Sequence, residues 1–108
     1  MNTSWRNLVG KNVKELRFVL CQTSTKSLGL RNWINNNIVS LKKSNPDTNL
    51  LVRECKDVDP IITARYDFGE ENKIICEYAT EQEVEEIVGK LVIDGETVNT
   101  YVRQNKIL

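Results

Sequence analysis

LRFVLCQTSTKSLGLRNWINNNIVSLKKSNPDTNLLVRECKDVDPIITARYDFG, residues 16–69, decides the fold of this chain. Leu16-Arg17-Phe18-Val19-Leu20 is a short apolar run that reads as a strand ending at Cys21. Gln22–Gly29 is rich in Ser, Thr and Gly and reads as a loop. Leu30, Trp33, Ile34, Ile38 and Leu41 then fall at the spacing of one helix face. Lys42 and Lys43 suit the negative end of that helix, and Asn45-Pro46 stops it. Leu50-Leu51-Val52 is too short for a helix and reads as a buried strand leading into Arg53-Glu54-Cys55. A helix of crossover length between the two strands makes them parallel. Lys56-Asp57-Val58-Asp59-Pro60 is too short for another crossover, so the next strand runs antiparallel. That strand, Ile61–Phe68, alternates: Ile62, Ala64, Tyr66 and Phe68 are apolar, while Thr63, Arg65 and Asp67 are polar.

Working outward, Gly69–Asn72 is a turn and Lys73–Tyr78 a fourth strand. Thr80 and Glu83 form a capping box for a second amphipathic helix through Val84, Ile87, Val88, Leu91 and Val92. Asp94-Gly95 is a turn signal, after which the tail to Leu108 adds a strand or an extended arm. Residues 1–13 read as a polar lead-in, residues 14–93 as the domain and residues 94–108 as an extension. The order β-α-β-β-β-α predicts an α/β domain with a four-stranded mixed sheet in the order 2-1-3-4. Both helices share one sheet face, because both stripes need the same core. This is a thioredoxin-like topology whose middle helix is reduced to a turn or less.

Composition narrows the function. A chain of 108 residues forms one domain with one modest core. Its fifteen basic and fifteen acidic residues cancel, so total charge favours neither nucleic acid nor anionic membrane. No apolar run approaches the ~20 residues that span a bilayer. Without a signal-peptide core, Asn2-Thr3-Ser4 is expected to stay unglycosylated. The opening residues carry Arg6, Lys11 and Lys14 and no acid, compatible with a weak mitochondrial targeting segment or with a frayed polar terminus. Three dispersed cysteines and no histidine make a poor metal site and remove the commonest general base. No phosphate-binding glycine loop is present, and neither a metal nor a cofactor is implied.

Two groups of residues stand out. Cys21 and Cys55 end adjacent parallel strands and, in phase, point to one face. Neighbouring strands lie ~4.8 Å apart, within the ~7 Å that a disulfide requires, so a bond and two reduced thiols are both compatible with the sequence. Cys21-Gln22-Thr23-Ser24 resembles a monothiol redox site, but eight residues separate Cys21 from the helix pattern. That distance argues against a thiolate activated by a helix N-terminus. Cys76, on the fourth strand, is expected to pack. Pro60, just before the third strand, is expected near Cys21, and its peptide bond is compatible with either isomer. The second group is Arg17, Arg53 and Arg65. Strand parity places all three on the helix-free face, as a surface for a partner's carboxylates or phosphates.

Four blocks carry a family resemblance: Phe18-Val19-Leu20-Cys21-Gln22, Leu41–Asp47, Val52-Arg53-Glu54-Cys55 with Asp57-Val58, and Ala64-Arg65-Tyr66-Asp67-Phe68-Gly69. Over roughly residues 14–92 the chain resembles alpha-subcomplex subunit 2 of mitochondrial NADH:ubiquinone oxidoreductase (complex I), whose domain is shared with a mitochondrial large-subunit ribosomal protein. The resemblance implies a thioredoxin-like, non-catalytic accessory subunit that supports assembly or stability of the matrix arm near the NADH-oxidising module. It implies complex I subunits as partners and a peripheral place on the matrix side of the mitochondrial inner membrane, with no span and no nucleic acid. It also implies that Cys21 and Cys55 are a redox-responsive pair. The alternatives are a mitochondrial ribosomal protein, disfavoured by the neutral charge, and a thiol-disulfide oxidoreductase, disfavoured by the missing second motif cysteine.

Overall fold

Residues 4–107 are described by a computed structural model. Strands β1 (Glu15–Leu20), β2 (Asn49–Glu54), β3 (Ile61–Arg65) and β4 (Glu71–Ile75) form one sheet in the order β2-β1-β3-β4. Strand β1 is parallel to β2 and antiparallel to β3, and β4 is antiparallel to β3. The mixed order therefore follows the connection lengths, and no helix occurs between Cys55 and Pro60.

Alternation sorts the side chains. Leu16, Phe18, Leu20, Ile62 and Ala64 are buried on one sheet face. Two helices cover that face: α2 (Leu28–Ser44), through Leu30, Trp33, Ile34 and Leu41, and α3 (Glu81–Ile107), through Val84, Val88, Leu91 and Val92. Phe18 and Trp33 meet with ring centroids 5.8 Å apart. The capping box forms: the Glu83 amide donates to Thr80 Oγ1 at 3.1 Å, and the Thr80 amide donates to Glu83 Oε1 at 2.9 Å. Gly29 permits the approach of α2 to the chain at residue 79, because a Cβ there would lie 1.8 Å from the Ala79 carbonyl oxygen.

Four expectations are corrected. Asp94-Gly95 is no turn. Helix α3 runs unbroken over 27 residues, and the tail is neither strand nor arm. Gly95 is needed for contact instead, since a Cβ there would meet the Asn12 carbonyl oxygen at 2.7 Å. The lead-in is not merely polar: residues 4–7 form a 3-10 turn and α1 (Val9–Asn12) follows, burying Trp5, Val9 and Val13 in the core. Leu50-Leu51-Val52 is not a buried strand, because β2 is the sheet edge; Leu50 and Leu51 are half-buried and Val52 is 41% exposed. Strand β3 stops at Arg65, and Phe68 turns outward with φ +60° in a 3-10 turn.

Polar side chains bind these pieces together. Asn45 Oδ1 accepts the Gly10 amide at 2.9 Å, and its Nδ2 donates to the carbonyls of Arg6 and Leu41. The buried Tyr66 hydroxyl donates to the Leu91 carbonyl at 2.7 Å. Trp33 Nε1 and Arg6 both reach Glu85 Oε1, at 2.9 and 2.5 Å.

Candidate functional site

The sheet face opposite the helices is bare, and register sets out its rows. Arg53, Val19, Ile61 and Ile75 stand side by side across β2, β1, β3 and β4. The next row is Leu51, Arg17, Thr63 and Lys73; the third is Asn49, Glu15, Arg65 and Glu71. The structure thus places Arg17, Arg53 and Arg65 on one face. They do not form one cluster. Glu15, only 6% exposed, receives Arg17 at 2.6 Å and Arg65 at 3.6 Å. Two guanidinium groups thus converge on one shielded carboxylate, which ties β1 to β3 across this face. Arg53 lies two positions along β2 and is exposed, without an ion-pair partner among the described residues.

The same strand ends carry the thiol pair. Leu20 is in register with Glu54, so Cys21 and Cys55 follow side by side, and the Cys55 amide donates to the Leu20 carbonyl at 3.0 Å. Both are free thiols; Cys21 is buried and Cys55 exposed. A pocket of about 300 Å³ lies beside them, lined also by Gln22, Thr23, Glu54 and Lys56. The Cys21 thiol is lowered from 9.0 to about 7. The largest cause is the Thr23 backbone amide, followed by the Asp57 amide, the Thr23 hydroxyl at 3.6 Å and the Ser24 amide, with burial opposing them. Asp57 adopts φ +62°, a conformation that Asp tolerates better than most residues.

The expectation of an unactivated Cys21 is corrected here. A helix N-terminus is not the only source of amides: two loops supply them to this sulfur. The Cys21 amide donates to Ser27 Oγ, and Arg31 donates to the carbonyls of Cys21 and Ser24, fixing the first loop.

Cys76 lies just past β4 and is buried, donating from its thiol to the Pro60 carbonyl at 3.6 Å. Burial pushes that thiol up to about 11. The Asp59–Pro60 bond is trans, with no cis bond among the described residues.

A family model, the mitochondrial ribosomal protein L51 / S25 / CI-B8 domain, matches residues 30–81. The chain is 38% identical over 94 residues to NADH dehydrogenase [ubiquinone] 1 alpha subcomplex subunit 2 of Arabidopsis thaliana, covering 87% of this chain and 97% of that protein. The chain belongs to the alpha subcomplex subunit 2 family. It is also 37% identical over 89 residues to the NADH-ubiquinone oxidoreductase 10.5 kDa subunit of Neurospora crassa, covering 82% of this chain and 95% of that one. The Mus musculus alpha subcomplex subunit 2 is 40% identical over 72 residues, 67% of this chain and 73% of its own length.

The family-model match begins inside α2 and ends at the start of α3. It therefore contains Arg53, Cys55 and Arg65, while Arg17 on β1 and Cys21 just past its end precede the match. Glu15 and Lys73 belong to the same face and escape a search for arginines alone. Glu15 has a legible signal, an acid two positions before Arg17 on one strand face. The amides of Thr23, Ser24 and Asp57 have none, because any residue type carries a backbone N–H.

Proposed function

We propose that the chain is a non-catalytic accessory subunit of mitochondrial respiratory complex I, held peripherally on the matrix arm near the NADH-oxidising module, where it supports assembly or stability. The observation that carries this reading is the match along 97% of the Arabidopsis thaliana subunit. Among the described residues no helix is long and apolar enough to cross a membrane, which fits attachment through protein contacts. The helix-free face with Arg17, Arg53 and Arg65 is the surface on which another subunit sits. Cys21 and Cys55 adjust stability through their redox state and do not turn over substrate.

The test is native-gel separation of solubilised mitochondrial membranes, with mass spectrometry of each band. The chain is expected in the band with NADH dehydrogenase activity, and its deletion should deplete that band. Recovery with the mitochondrial ribosome instead would reject the reading in favour of the ribosomal branch of the domain family.

A further inference from the structure

We infer that the helix-free sheet face binds an acidic protein surface, with the row Val19, Ile61 and Ile75 as its apolar centre and Arg53 and Lys73 as the cations that meet the partner's carboxylates. The inference rests on the functional reading above and names the chemistry of the partner on that face.

Val19 and Ile61 are half-buried and Ile75 is 58% exposed, three β-branched side chains in register on neighbouring strands. Arg53 extends this row on β2, and Lys73 stands two residues before Ile75 on β4. Counting the three rows, the face carries Arg17, Arg53, Arg65 and Lys73 against Glu15 and Glu71. The chain as a whole has formal net charge zero. The excess of cations on this face is therefore balanced elsewhere, visibly by Glu81, Glu83, Glu85 and Glu86 at the start of α3.

The four cations divide by role. Arg17 and Arg65 already hold Glu15, so a partner gains little charge pairing from them, and they keep the floor of the surface rigid. Arg53 and Lys73 have no ion-pair partner among the described residues and flank the apolar row. An apolar centre bordered by unpaired charge is the anatomy of a protein-protein contact. Complementary carboxylates opposite those two cations would steer encounter and fix register. Nucleic acid is the poorer match. A phosphate backbone gains nothing from Val19, Ile61 and Ile75, and Glu71 stands exposed on the same face.

The test uses the residual complex I of cells lacking this subunit, enriched from solubilised membranes, incubated with the purified full chain and resolved on native gels at low and high KCl. Wild-type chain should bind, and more weakly at high salt. Ile75→Asn, which removes the apolar side chain without adding charge, should weaken binding at least about tenfold at both salt concentrations, as expected for an apolar anchor. Arg53→Glu with Lys73→Glu should weaken it by a similar factor at low salt and flatten the salt dependence. Lys43→Glu, at the end of α2, should bind as wild type does. Each variant is checked by thermal melting; the four substituted side chains are exposed, so folding should persist. If wild type binds and both face variants bind equally well, the inference is overturned while the functional reading stands. If wild type itself fails to bind, both fall. If wild type instead retains a labelled poly(U) RNA on filters, lost with Arg53→Glu and Lys73→Glu but not with the uncharged Ile75→Asn, the face serves RNA and the acidic-protein inference is rejected.

Discussion

The side chain of Asn99 donates to the backbone carbonyl of Asn12 at 3.0 Å, joining the far half of α3 to the segment that precedes β1. Its Oδ1 accepts the Asp67 amide at 2.9 Å, and Asn12 Nδ2 donates to the Val92 carbonyl at 2.9 Å. Three elements distant in sequence are thereby closed over one buried polar junction. Asn99→Ala should cost about 1–3 kcal/mol, because it strands a buried carbonyl rather than deleting an isolated bond. Urea unfolding measures it. A loss within error of zero would show that the tail is a passenger.

Gly95 tests the same junction by crowding. Its missing Cβ leaves room for the Asn12 carbonyl, which is backbone and cannot swing aside. Gly95→Ala gains helix propensity, yet should destabilise by about 1–3 kcal/mol through overpacking. Stabilisation by this substitution would mean that α3 stands away from Asn12.

The amino-terminal segment makes a third case. Trp5 is buried beside Gly89, whose absent Cβ leaves space for the indole, and Arg6 stacks over it at 4.6 Å. Trp5→Ala should cost about 3–5 kcal/mol, the usual range for a buried tryptophan. Equilibrium denaturation followed by circular dichroism reads the change. A value below 1 kcal/mol would return residues 4–13 to the status of a polar lead-in.

These positions also mark where the sequence could be read and where it misled. Strand order, strand direction, the helix-free face of the arginines and the Thr80–Glu83 cap were legible, because each follows from a local period or a connection length. Trp5, Val9 and Val13 are spaced by four, a helical stripe masked by the amide and basic residues between them. Asp94-Gly95 misled because its local turn preference is overridden by tertiary contact: glycine is there to admit Asn12, not to bend the chain. Val52 misled because its apolar run was read as buried, although the order 2-1-3-4 already puts this strand at the sheet edge, where one flank of the strand is uncovered. For the thiol site, the place of Cys21 and Cys55 at neighbouring strand ends was legible from the strand order, while the loop amides around Cys21 were not.

The thiol pair yields a stability prediction. An oxidised Cys21–Cys55 bond closes the chain across α2 and β2 and is expected to stabilise by about 3–4 kcal/mol if native strain is small. The oxidised form should melt above the reduced form, and Cys55→Ser should be indifferent to oxidant. Insulin-disulfide reduction by the wild type should stay at background, since the pair lacks the second motif cysteine. Rapid insulin reduction would overturn the non-catalytic reading, and equal melting of the two forms would remove the stabilising role.

In reductant, the cysteines should shape stability against pH in opposite ways. Cys21 is lowered from 9.0 to about 7, so between those values the native state binds fewer protons than the unfolded chain, and stability rises with pH. The contribution is complete above pH 9 and is lost as pH falls through 7. Cys76 is raised from 9.0 to about 11, so its contribution is complete below 9 and is lost as pH climbs toward 11. Tyr66, raised by burial, and Lys26, raised by its pairing with Glu77, add to the loss only above their ordinary values of 10.0 and 10.5. The thiol contributions together therefore peak near pH 9. Urea midpoints measured from pH 6 to 10 should show Cys21→Ser flattening the rise between 7 and 9, and Cys76→Ala flattening the fall that begins at 9. An unchanged rise in Cys21→Ser would mean that the amides of Thr23, Ser24 and Asp57 do not hold a thiolate in solution.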